Sequence, residues 1–149
     1  MSEIGFYHLT RSTLEQALPQ LLGRTLAAGE RAVVLCPDAE RLRALDDALW
    51  LVETPDWLPH GTPAMGYAPY QPIWLTLEDG PPPNGARYLF LVGGATSSHL
   101  ALYTRVFDLF DGNDPAAVAA ARERYRAARA AGHTLTYWRQ TAQGWEKAG

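Results

Sequence analysis

The run Ala121-Arg122-Glu123-Arg124-Tyr125-Arg126-Ala127-Ala128-Arg129 holds four of the chain's thirteen Lys and Arg residues, although the chain carries a net charge of −3. Guanidinium groups hold carboxylates and phosphates through paired, charge-assisted hydrogen bonds. Asp114-Pro115 before the run and Gly132 after it bracket an Ala-rich stretch, which predicts one helix over about 115–131. At about 100° per residue, Val118, Arg122, Tyr125, Arg126 and Arg129 fall on one side of that helix. Ala116, Ala120, Ala127 and Ala131 cluster nearly opposite, and that small-residue stripe predicts the side lying close against a sheet. Two readings fit the arginine side: a solvated basic face, or a surface for a ligand that carries carboxylates or phosphates together with apolar groups.

Other candidate chemistry is sparse. The only Lys is Lys147, so the phosphate-neutralising lysine of a P-loop is missing, and no Gly-x-Gly-x-x-Gly follows the first strand-like segment. Val92-Gly93-Gly94-Ala95-Thr96-Ser97-Ser98 could offer backbone N–H groups to an anion at a helix start, or serve as a tight turn only. His8, His60, His99 and His133 are scattered singly, without metal-ligand spacing, and no metal site is expected. Asp46 and Asp47 are adjacent on a predicted helix and point about 100° apart, so they read as charge on a solvated face. Cys36 has no partner for a disulfide and no adjacent base, and reads as a small core residue in a reducing compartment. No catalytic residue is identified and no cofactor is called for. Trp50 and Trp57 are either core residues or, exposed together, a protein-docking patch.

The elements that must position these residues follow from periodicity. Ile4–Leu9 predicts a strand, Ser12 with Glu15 a helix start, and Leu14, Leu18, Leu21, Leu22 and Leu26 a helix closed by Gly29. Arg31–Cys36 reads as a strand buried on both faces, and Pro37-Asp38 leads into a helix with Leu42, Leu45, Leu49 and Trp50 on one stripe. Five prolines in the span from Leu51 to Pro72, counting Pro72 itself, predict a long aromatic-rich loop of the kind that is often functional. Strands are expected at Ile73–Leu77 and Arg87–Val92, a helix from Ser97 or Ser98 to about Phe110, and a final edge strand over Thr134–Gln140. The alternation of strands and helices predicts a single Rossmann-like, three-layer α/β domain over residues 1–149, with a mostly parallel central sheet and no nucleotide-binding motif. A 47% hydrophobic and 19% charged composition excludes a disordered or coiled-coil chain. Mild acidity argues against coating nucleic acid directly, and the absence of a leader or a membrane-spanning run makes a cytoplasmic protein the expectation.

Several of these segments, in their order and spacing, resemble the chi subunit family of the bacterial DNA polymerase III holoenzyme. They are Phe6-Tyr7-x-Leu9, Leu45-Asp46-Asp47-Ala48-Leu49-Trp50, Trp57-Leu58-Pro59-His60, Pro72-Ile73 and Ala121-Arg122-Glu123-Arg124-Tyr125-Arg126 with Gly132. The resemblance implies an accessory subunit without catalytic residues of its own, in an assembly that has DNA polymerase activity. It implies attachment to the clamp loader through the psi subunit, as a monomer or a heterodimer with psi. It also implies capture of the C-terminal tail of single-stranded-DNA-binding protein, which is acidic and ends in a Pro-Phe carboxylate. On the matching motif, tail binding carries to Arg122, Tyr125 and Arg126. Val118 stands where members can carry Lys, so the electrostatic part is expected either to be weaker or to rely on Arg129. Trp50 and Trp57 match psi-facing positions, a patch that a repair helicase could also use. The competing readings are a nucleotide-binding α/β enzyme and a direct single-stranded-DNA binder.

Overall fold

The computed structural model describes residues 2–52 and 58–148. Strand β1 (Glu3–Leu9), helix α1 (Leu14–Ala27), strand β2 (Ala32–Leu35) and helix α2 (Ala39–Leu51) form the expected βαβα opening. Then come β3 (His60–Gly61), β4 (Ile73–Thr76), β5 (Tyr88–Val92), β6 (Arg105–Asp111), helix α3 (Pro115–Ala130), β7 (Thr134–Thr141) and β8 (Gly144–Lys147), with single 3₁₀ turns at Ala68–Tyr70 and Leu100–Leu102. The described strands make one sheet in the order β3-β4-β2-β5-β6-β1-β7-β8. Every neighbouring pair is parallel except β7 and β8.

Three layers result, as the alternation of elements requires. Leu18, Leu21 and Leu22 of α1 and Leu45 and Leu49 of α2 bury one face with Val34, Phe90 and Leu109. Ala121 and Ala128 of α3 cover the other face, above Ile4, Phe6, Val33 and Leu91. Strands β2 and β5 are buried on both faces, which is why they read as unbroken apolar runs. Helix α1 carries the chain from β1 toward the β2 side of the sheet, while α3 carries it from β6 to β7 on the opposite side of β1. The strand order therefore reverses between β1 and β6, and the crevice at their carboxyl ends is where such sheets hold ligands.

Four expectations are corrected. Residues 97–110 do not form a helix: after the short turn at Leu100–Leu102 the chain enters the central strand β6. Phe107 and Leu109 face the α1 side, Val106 and Phe110 face α3, and the buried Asp108 between them breaks the apolar run that would have signalled a buried strand. Second, β7 is not an edge, because the chain turns back at Thr141 and β8 pairs with it, placing Trp145 edge-on to Tyr7 at 5.1 Å between ring centroids. Third, α1 is capped at Thr13, whose N–H donates to Gln16 Oε1 at 2.9 Å, rather than at Ser12 with Glu15. Fourth, the irregular span after α2 contains β3, which extends the sheet beyond β4 by two residues.

Candidate functional site

Helix α3 begins as expected. Asp114 accepts the Ala116 N–H at 3.0 Å, Pro115 occupies the first turn, where its missing N–H is not needed, and Gly132 leaves the helix at φ 88°. Its rotation about its own axis differs from the expectation. Ala116, Ala120, Ala127 and Ala131 are exposed, and the sheet-facing side is Ala121 and Ala128 with Val118 and Tyr125 partly buried beside them. The reason is an ion pair: Arg124 Nε and Nη2 donate to the two oxygens of Asp108 at 2.6 and 3.0 Å, with only 2% of the Asp108 side chain exposed. A buried carboxylate needs a cation with matching geometry, and satisfying it turns the Arg124 side of α3 toward the sheet. Burial pushes the Asp108 carboxyl above the usual carboxylate range, and Arg124 opposes that shift.

This rotation leaves Arg122, Arg126 and Arg129 exposed and lays the Tyr125 ring between Phe6, 5.2 Å away, and Tyr137, 6.4 Å away. A cleft of about 210 Å³ opens between α3 and the sheet, lined by Phe110, Ala121, Arg122, Tyr125, Arg126 and Tyr137. The structure therefore brings Arg122, Tyr125 and Arg126 together. Val118 instead is partly buried against the core on the sheet side of the helix, and Arg129 lies outside the cleft. Phe110 and Tyr137 were missed by sequence reasoning: Phe110 fell in a segment read as helix, and Tyr137 in a strand whose alternation gave no clue to its neighbour. Arg126 is ion-paired with the exposed Glu123 one turn earlier. Burial raises the Tyr137 phenol pKa, while Arg122 and Arg139 pull it down, so the phenol lies within reach of the arginine rim. Two guanidinium groups above an aromatic floor can hold a carboxylate attached to an apolar side chain.

A second surface lies at the end of α2. Trp50 is 52% exposed and Leu51 78% exposed, so Trp50 is not a core residue. Trp57 lies outside the described residues. The Trp50 ring rests on the buried His60, 4.2 Å between centroids, and His60 Nδ1 and Nε2 lie 2.8 Å from Leu58 O and Asp46 Oδ1. Asp46 is thus no plain solvated charge, because it ties α2 to β3 through the imidazole.

The crevice at the β1/β6 switch, about 770 Å³, contains the loop after β1, where nucleotide-binding folds present N–H groups to phosphate. Here the Thr10, Arg11 and Ser12 N–H groups all donate to Gln140 Oε1, at 2.9, 2.9 and 3.2 Å, and Gln140 Nε2 donates to Ser12 Oγ at 2.6 Å. Gly93 and Gly94 adopt positive φ in a tight turn, and no α-helix starts there. Among the described residues no group of three or more His, Cys, Asp or Glu is placed to hold a metal ion. Cys36 is buried, and burial pushes its thiol up to about 12. Among the described residues no helix is long and apolar enough to cross a membrane.

Comparison with known proteins places this geometry in context. The family described as DNA polymerase III chi subunit, HolC, matches residues 1–136. The DNA polymerase III subunit chi of Escherichia coli (strain K12) is 29% identical over 129 residues, covering 83% of this chain and 84% of that protein. A probable DNA polymerase III subunit chi of Rickettsia prowazekii (strain Madrid E) is 24% identical over 92 residues, covering 62% of this chain and 55% of that protein.

Proposed function

Because the chain belongs to the DNA polymerase III chi subunit family, we propose that it is a non-catalytic bridge between the clamp loader and single-stranded-DNA-binding protein. The α3 cleft takes the acidic C-terminal tail of that protein, and the Trp50 surface, with Trp57, docks the psi subunit. The observation that carries the first half is the cleft itself, where Arg122 and Arg126 rim a floor of Phe110, Tyr125 and Tyr137. In this reading the arginines pair with tail carboxylates, and the terminal Phe of the tail enters among the rings. Many tails on one coated strand raise the local concentration, so individually weak contacts suffice to retain the polymerase. DNA is engaged indirectly, and the protein acts in the cytoplasm with the replication machinery.

The test is a titration of a fluorescent acidic peptide ending in Pro-Phe against the purified protein. Arg122→Ala should weaken binding about tenfold, the size expected for one charge-assisted contact. Added salt should weaken the wild type as well, because the rim is exposed. Affinity indifferent to both changes would refute the assignment. For the other surface, Trp50→Ala should release psi and leave the peptide affinity unchanged, since Trp50 is absent from the α3 cleft.

A further inference from the structure

Behind the cleft lies a histidine that no motif singles out. His8 of β1 places Nδ1 2.6 Å from the Tyr137 hydroxyl and Nε2 3.3 Å from the Gly112 carbonyl oxygen. A carbonyl oxygen only accepts, so Nε2 carries the hydrogen, and in the neutral ring Nδ1 is the bare nitrogen. The Tyr137 O–H therefore donates to His8, and for any other partner that oxygen offers lone pairs only. The arrangement is held on all sides. The His8 ring packs at 5.1 Å from Phe110 and edge-on to Tyr137, and a Cβ at residue 112 would come within 1.9 Å of the imidazole, so only glycine leaves room for it.

We infer that His8 is a positioning residue that sets the hydrogen-bonding sense of Tyr137 and so makes the α3 cleft bind a carboxylate ligand more tightly as pH falls. This rests on the tail-binding reading of the cleft. When His8 takes a proton from solvent at Nδ1, the new N–H donates to the Tyr137 oxygen. The phenol keeps its own proton, which turns outward. The cleft then gains a hydroxyl donor beside Arg122, and a positive charge one hydroxyl away from the bound carboxylate. The charged groups that act on the Tyr137 phenol are Arg122 from α3 and Arg139 from β7. The β6 end contributes Phe110 and the Gly112 carbonyl, and neither titrates.

The experiment measures affinity for the acidic Pro-Phe peptide between pH 8 and pH 5.5 at constant ionic strength, for wild type, Tyr137→Phe and His8→Gln. Wild type should gain about fivefold in affinity toward pH 5.5, the size of one added exposed hydrogen bond. Tyr137→Phe keeps the ring wall but loses the hydroxyl, and its profile should flatten; the readout is the slope with pH, whatever the affinity at pH 8. His8→Gln should be flat as well. If His8→Gln does not fold, as judged by circular dichroism, Tyr137→Phe alone decides. A flat wild-type profile, or a Tyr137→Phe profile with the wild-type slope, overturns the role of His8 while leaving the cleft reading intact. Absence of peptide binding at every pH overturns both.

Discussion

Arg124→Met removes the cation from the buried pair that sets the rotation of α3 while keeping an apolar stem in its place. The Arg124 and Asp108 side chains are 13% and 2% exposed, and both guanidinium contacts are at or below 3.0 Å. Deleting one partner of such a pair strands a charge and costs about 3–5 kcal/mol. For a chain of this length that corresponds to a fall in Tm of roughly 10 °C. The loss should depend on pH. Burial already holds the Asp108 carboxyl above its unfolded value, and without Arg124 that shift grows. An acid whose folded pKa is raised destabilises the fold while it is ionised, and stability returns as pH falls through the folded pKa. The variant's deficit should therefore be larger at pH 7.5 than at pH 5.5, measured by urea unfolding with two spectroscopic probes. Adding Asp108→Asn to Arg124→Met removes the stranded charge and should restore part of the loss. A single-variant deficit below about 1 kcal/mol at both pH values, the size of an exposed pair, would show that this ion pair does not set the helix rotation.

Three further outcomes follow from the same geometry. Glu123→Gln frees Arg126 from its exposed partner and should raise affinity for the acidic peptide about twofold, measured by anisotropy; a decrease would mean that Glu123 contributes to the ligand site. The thiol of Cys36, raised to about 12, should resist alkylation at pH 8 in the native protein and react completely in guanidinium, as read by mass spectrometry; rapid native labelling would contradict its burial. Asp46→Ala leaves the buried His60 without its carboxylate partner and should cost about 1–3 kcal/mol in chemical unfolding, whereas a solvated Asp46 would cost nothing measurable.

How legible the fold was in the sequence depended on whether an element's signal was local. Leu14 to Leu26 in α1 and Val33-Val34-Leu35 in β2 announce themselves through spacing, because burial on one face or on two imposes its period on neighbouring residues. Strand β6 did not. Its apolar run is interrupted by Asp108, and the residue that makes Asp108 tolerable is sixteen positions away on a different element. Strand β8 escaped for a related reason: Gly144–Lys147 has one partly buried residue, Trp145, and is a strand only because β7 lies beside it.

The same division runs through the candidate site. The residue types of α3, its limits and the grouping of Arg122, Tyr125 and Arg126 were determined by the sequence alone, since propensity, capping and the helical period are properties of the chain itself. Which side of α3 meets the sheet was decided only in three dimensions. Small residues occur on both sides of the helix, and the Asp108–Arg124 pair selects the one that is buried. Tertiary packing likewise supplied Phe110 and Tyr137 to the cleft, placed His8 behind Tyr137, set Val118 partly buried against the core and left Arg129 aside. The His8–Tyr137 contact joins strands 129 residues apart in the chain, and no local pattern encodes it.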